Sequence, residues 1–178
     1  MFFLLWRPSP NKPASMTAAS TAELSIPLPD EAATERLGAR LGALLEPGDF
    51  IALTGDLGAG KTALARATVR ARLGDPDEEV PSPTFTLVKT YDAPDLLITH
   101  VDLYRLDRPE DAAELGLGEA LDEGALLVEW PDRLGRLPQD RLDISIRLIG
   151  EGGAREARLT GHGLWAARLQ GLKYPLGD

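Results

Sequence analysis

The sequence predicts a three-layer α/β domain on a mixed, largely parallel central sheet, and three observations carry that prediction. Short apolar runs alternate with helical stretches along most of the chain, as in folds that cover a sheet on both faces. One run, Phe50-Ile51-Ala52-Leu53-Thr54, is almost wholly apolar and leads straight into a glycine-rich loop and a helix. Near the end, Leu142, Ile144, Ile146 and Leu148 alternate with polar residues. They are followed by Glu151-Gly152-Gly153 and a second extended stretch, which together mark a terminal hairpin.

The elements follow in order. Glu23 to Leu28 reads as a short strand closed by Pro27 and Pro29. Asp30 is placed to cap a helix from Glu31 to about Leu45, with Ala33, Leu37, Leu41 and Leu44 on one face at helical spacing. Pro47-Gly48-Asp49 turns the chain into the strand Phe50–Thr54. After the glycine-rich loop, a helix runs from Lys61 to Leu73 and stops at Gly74, with Pro76 just beyond. Pro81-Ser82-Pro83-Thr84 is a stiff extended loop, and Phe85 to Tyr91 reads as the strand it enters. Leu96 to Val101 is a further strand closing on Asp102. Arg108-Pro109-Glu110 opens a short helix limited by Gly116 and Gly118. Ala125 to Val128 is a buried strand ending on Glu129. Ala154 to Thr160 completes the hairpin, and a last amphipathic helix spans about Leu164 to Leu172.

The 178 residues predict one domain over 23–178, preceded by a disordered extension over 1–22. Within that extension the apolar Phe2-Phe3-Leu4-Leu5-Trp6 is too short for the core of a signal peptide, Pro8, Pro10 and Pro13 break any helix, and Met16 is an alternative start. No apolar run is long enough to span a membrane, so a cytoplasmic protein is expected. The net charge of −9 argues against a broad nucleic-acid surface, because phosphate backbones are held mainly by excess Lys and Arg. Any work on RNA is therefore expected to go through a partner. The absence of cysteine removes disulfides, thiolate zinc sites and Cys nucleophiles, and His100 and His162 are too few for most histidine-rich metal centres.

Gly55-Asp56-Leu57-Gly58-Ala59-Gly60-Lys61-Thr62 fits the phosphate-loop pattern G-x-x-x-x-G-K-[ST], with a buried strand before it and a helix after it. Glycines let the backbone curl so that successive N–H groups face phosphate oxygens, and the helix start adds unpaired donors and the positive end of its dipole. Lys61 would reach the β- and γ-phosphates, and the Thr62 hydroxyl would bind Mg²⁺. Asp102 and Glu129 each follow a buried strand, where ligands of open α/β sheets collect. Spacing leaves open which is the metal ligand, which orients the attacking water, and whether either only caps a turn. Thr84 and Thr86 are candidates for sensing the γ-phosphate. His100 fits a core or supporting role better than a general base. Trp130 is a packing residue or a base-stacking platform.

Four of these stretches stand in a recognisable order: Gly55 to Thr62, Ser82-Pro83-Thr84-Phe85-Thr86-Leu87-Val88, His100-Val101-Asp102-Leu103-Tyr104-Arg105-Leu106 and Val128-Glu129-Trp130-Pro131. With Ile26-Pro27-Leu28-Pro29-Asp30 they resemble the bacterial TsaE (YjeE) family. That family is the ATPase component of the machinery that makes threonylcarbamoyladenosine at position 37 of tRNA. The resemblance covers about residues 24–170. It implies a P-loop NTPase-like domain that binds ATP with Mg²⁺, with TsaB and TsaD as partners and tRNA met only through them. By position it implies Thr62 and Glu129 as metal ligands, Lys61 as the phosphate lysine and Asp102 as an essential acid near the γ-phosphate. Lys61, Asp102 and Glu129 then form the catalytic set, with Gly55 to Thr62, Thr84 and Trp130 as nucleotide contacts. It also implies feeble ATPase activity in isolation. The amino-terminal extension and the stretch from Arg133 depart from the family pattern.

Three other readings compete. An ATP-binding regulator without turnover would share every residue of the loop. A small-molecule kinase would need converging arginines, for which Arg105 and Arg108 are the suggestive pair. A GTPase would use Asp132-Arg133-Leu134-Gly135 as its D-x-x-G, but no N-K-x-D base-reading motif follows the phosphate loop.

Overall fold

The computed structural model describes residues 20–173. Its strands are β1 (Thr21–Leu28), β2 (Phe50–Thr54), β3 (Val88–Ala93), β4 (Leu96–Asp102), β5 (Gly124–Glu129), β6 (Arg141–Ile149) and β7 (Ala154–His162). Its helices are α1 (Glu31–Leu44), α2 (Lys61–Leu73), α3 (Leu117–Glu123) and α4 (Leu164–Arg168). The strands form one sheet in the order β1-β7-β6-β2-β5-β4-β3. The central run β6-β2-β5-β4 is parallel, and β3, β7 and β1 are added antiparallel at the two sides. The predicted three-layer fold is therefore the one adopted.

Side-chain alternation divides the core. Ile51, Leu53, Ile98, Leu127 and Ile144 meet Leu37 and Leu41 of α1, Leu64 and Val69 of α2, and Trp165 of α4 on one face. Phe50, Ala52, Val101, Leu126 and Val128 meet Leu103, Leu106, Ala112, Leu117 and Leu134 on the other. The parallel strands are thus apolar on both faces, as helix-covered strands must be.

Local signals set the helix ends. Asp30 accepts a hydrogen bond from the Ala33 amide at 2.7 Å and caps α1. Gly74 takes a left-handed conformation and ends α2. Helices α1 and α2 lie side by side in the same direction and nearly in backbone contact. A Cβ at Gly38 would stand 2.3 Å from the Ala67 Cβ, and one at Gly42 would stand 2.8 Å from the Thr68 carbonyl.

Four expectations shift. Residues 1–19 of the predicted extension lie outside the described residues, but Thr21 and Ala22 belong to β1, because they pair with His162 and Gly161. The strand's end at Leu28 is the one expected, with Pro27 inside it, which an edge strand tolerates. The strand expected from Phe85 starts at Val88. Leu87 has a φ of +65° and its amide returns to the Pro83 carbonyl at 2.6 Å, so residues 83–87 form a turn with Phe85 exposed. The short helix after Arg108 is a 3-10 turn over Pro109–Leu115. Gly116 breaks it, and α3 then continues through Gly118 to Glu123. The final helix is α only to Arg168 and tightens to 3-10 over Leu169–Leu172.

Candidate functional site

The site forms at the carboxyl ends of β2, β4 and β5. Gly55 leaves β2 with a φ of +141°, and any Cβ there would stand 2.4 Å from the Ile146 carbonyl of β6, so only glycine fits. The loop then curls through Asp56, Leu57, Gly58 and Ala59, with the Ala59 amide donating to the Asp56 carbonyl at 3.0 Å. Gly60 caps α2 in a left-handed conformation with no side chain over the helix start, so the first amides of α2 keep their donors for a ligand. Leu57, at the tip, is 75% exposed.

Lys61 is folded back into this loop. Its Nζ donates to the carbonyls of Gly55 at 2.5 Å and Asp56 at 2.9 Å, and it lies 4.2 Å from the centroid of the Trp130 ring. The side chain is buried, and burial pushes its ammonium below the ordinary value of 10.5; Glu129, Asp102 and Asp56 offset part of that fall. Trp130 is held in a left-handed conformation with φ +58°. Its ring meets Tyr104 at a centroid distance of 5.1 Å, and its amide donates to the Leu53 carbonyl of β2 at 3.3 Å.

The two acids stand side by side. Asp102 and Glu129 are register partners in the parallel pair β4–β5 and are both buried. The Thr62 hydroxyl lies 2.9 Å from each oxygen of Glu129, linking the first turn of α2 to the end of β5. The other oxygen contact of Glu129 is to His100 Nε2, 2.8 Å from Oε1. Asp102 is engaged differently. Its Oδ2 accepts from Ser82 Oγ at 2.6 Å and Thr84 Oγ1 at 3.0 Å, and its Oδ1 accepts from the Tyr104 amide at 3.0 Å. Thr86 lies in the same turn as Thr84, and neither it nor the exposed Phe85 reaches the acids; Arg105 instead stacks 4.2 Å from the Phe85 centroid. Arg108 pairs with Asp111 on the surface.

The structure thus gathers Lys61, Thr62, Thr84, Asp102, Glu129 and Trp130 around one loop. It also adds two residues that the sequence did not assign to the loop: Ser82, on Asp102, and Arg155. Arg155 is the second residue of β7, and a Cβ on Gly60 would lie 3.4 Å from its Cδ and Nε. Its Nε is buried and has no hydrogen-bond partner among the described residues. The Gly152-Gly153 turn was the available signal. It returns the chain from a strand beside β2, so the residues just after it must lie at the loop end of the sheet.

Hard oxygens of one carboxylate and one hydroxyl, beside a curled loop of amides, suit a Mg²⁺ that keeps several waters and shares phosphate oxygens. Among the described residues no group of three or more His, Asp or Glu could hold a metal ion by itself.

Comparisons with known proteins agree with this geometry. The family model described as threonylcarbamoyl adenosine biosynthesis protein TsaE matches residues 28–157. The tRNA threonylcarbamoyladenosine biosynthesis protein TsaE of Rickettsia bellii is 37% identical over 125 residues, covering 70% of this chain and 86% of that protein. Its counterpart in Bacillus subtilis is 38% identical over 132 residues, covering 73% of this chain and 80% of that protein. The crystal structure of Bacillus subtilis YdiB superposes with a TM-score of 0.65 at 32% identity, covering 83% of this chain and 89% of that one.

Proposed function

The chain belongs to the TsaE family, whose role lies in tRNA threonylcarbamoyladenosine biosynthesis, and from that premise we propose that it serves there by binding and hydrolysing Mg·ATP. The observation that carries this reading is the Thr62 hydroxyl set 2.9 Å from both Glu129 oxygens, beside a phosphate loop with free amides.

Each residue has a definite task in this reading. The amides at the start of α2 hold the β-phosphate, and Lys61 leaves the Gly55 and Asp56 carbonyls to bridge the β- and γ-phosphates. Thr62 and Glu129 hold Mg²⁺, which when bound neutralises charge developing on the phosphates. Arg155 supplies a second cation from the opposite side of the loop. Asp102 orients the attacking water once Ser82 and Thr84 release its Oδ2. Trp130 packs over Lys61 and excludes water from the phosphate end.

Slow turnover by the isolated chain follows from the same contacts. Lys61 and Asp102 both begin in hydrogen bonds that hydrolysis must break, and phosphoryl transfer depends on positioning that a partner can complete. We assign that partner role to the TsaB–TsaD complex, with tRNA reached only through it and the whole acting in the cytoplasm. No helix among the described residues is long and apolar enough to cross a membrane. The test is ATP hydrolysis titrated with the cognate TsaB–TsaD complex. Stimulation that Asp102→Ala abolishes supports the proposal, and binding of ATP with no hydrolysis at any partner concentration leaves the chain as a nucleotide-holding regulator.

A further inference from the structure

His100 is fully buried in β4, two residues before Asp102 and on the same face of the sheet. Burial of an imidazole is costly unless its nitrogens find partners. Here only one does. Nε2 meets Glu129 Oε1 at 2.8 Å, while Nδ1 is buried without a partner among the described residues. A leucine would fill the same space with no unpaired atom. The ring therefore contributes one directed contact, and that contact is to Glu129. Because the carboxylate oxygen accepts, Nε2 is the donor.

That single bond divides the two oxygens of Glu129. Oε1 is held by the ring, and Thr62 lies within reach of both oxygens. A cation entering between Thr62 and Glu129 would displace the hydroxyl proton from the carboxylate; Oε2 then has both lone pairs free, whereas Oε1 still spends one on the histidine bond, so ligation through Oε2 alone is favoured. We propose that His100 is a positioning residue that holds Glu129 to one metal-facing oxygen and so sets the choice of cation. Mg²⁺ requires six ligands in a near-ideal octahedron at about 2.0–2.1 Å, which a one-oxygen carboxylate suits. Ca²⁺ takes about six to eight ligands at about 2.3–2.6 Å and commonly uses both oxygens of a carboxylate. Locking Oε1 thus favours Mg²⁺ and penalises Ca²⁺. The inference rests on the Mg·ATP reading above and deepens it, because it concerns which metal the site accepts.

The test measures binding, not turnover. ADP affinity is measured by titration calorimetry against Mg²⁺ and Ca²⁺ for the wild type, His100→Leu and His100→Gln. His100→Leu is expected to weaken Mg²⁺-supported binding about tenfold, in line with the loss of a residue that orients a metal ligand, and to lower the Mg²⁺:Ca²⁺ preference by a similar factor. His100→Gln, whose amide can still donate to Oε1, is expected to recover most of that preference. An unchanged preference in His100→Leu overturns the inference, as does an equal loss for both cations in both variants, which would mark a packing role. If the leucine variant does not fold, the ¹⁵N spectrum of the wild-type ring decides. A proton on Nε2 that stays protected from exchange when Mg²⁺ and ADP are added supports the inference, and one that is lost to solvent refutes it. If neither cation changes ADP binding by the wild type, it is the metal reading itself that fails.

Discussion

The two sides of the phosphate loop are built in opposite ways. On the side of β4 and β5 the acids are occupied by protein, Glu129 by Thr62 and His100 and Asp102 by Ser82 and Thr84, while Lys61, in the loop itself, is held by two of its carbonyls. On the side of the β6–β7 hairpin, Arg155 leans on Gly60 with its Nε buried and unpaired. A ligand entering on the acid side must exchange one set of hydrogen bonds for another, so its net gain there is small and its effect is to change geometry. On the hairpin side a phosphate would meet a guanidinium whose Nε has no partner among the described residues to release. The comparison teaches that one side of the site can meet a ligand only by exchanging bonds, and the other by adding them.

The largest expected effect is at Lys61, which lies in the loop between the two sides. Lys61→Ala should lower ATP affinity about 100-fold, measured by calorimetry, because it removes a charge-assisted bond to each of two phosphates at about 1.5–3 kcal/mol apiece, offset in part by the two loop-carbonyl bonds that Lys61 gives up on binding. Next is Arg155. Arg155→Met, which keeps the stem over Gly60, should weaken ATP and ADP alike by about tenfold, and Arg155→Lys should recover part of the loss. A loss confined to turnover would mean that Arg155 adds no bond on binding, and would break the comparison.

Lys61 also predicts a smaller effect of pH. Its folded pKa lies below 10.5, so its burial as a cation disfavours the ligand-free protein below that depressed value, and the penalty is relieved as pH rises through it. Phosphate oxygens favour the charged form, so in the window above the depressed value binding takes up a proton. ATP affinity should fall severalfold as pH rises through that window, and the heat of binding should vary with the ionisation enthalpy of the buffer. The mildest change is Ser82→Ala, which frees one of the two side-chain bonds on Asp102 Oδ2 at a net worth of about 0.5–1.5 kcal/mol. It should raise partner-free ATP turnover about two- to fivefold and leave ADP affinity unaltered.

The sequence revealed what local chemistry decides. The phosphate loop, the Asp30 cap, the stop at Gly74 and the buried runs ending on Asp102 and Glu129 depend on a few adjacent residues, and the structure has each of them where it was read. Phe85 misled because an apolar residue beside Thr84 and Thr86 mimics strand alternation, whereas the turn that exposes it is closed by a bond from Leu87 to Pro83. Arg155 was passed over for a different reason. Ninety-five residues separate it from Gly60 in sequence, and only the antiparallel return of β7 beside β6 brings the two together. Arg105 and Arg108, closer to the acids in sequence, are spent on Phe85 and Asp111.

The near-contact of α1 with α2 has a mechanical consequence. With Ala67 and the Thr68 carbonyl filling the places where side chains at Gly38 and Gly42 would go, the two helices have no room to slide past each other, so they travel as a single stiff strut. Whatever grips the phosphates at the head of α2 also fixes the pose of α1 and the edge strand that feeds it. Any part that would shift on nucleotide binding must then be hinged elsewhere, and residues 81–87, held to Asp102 by the Ser82 and Thr84 hydroxyls, lie outside that strut.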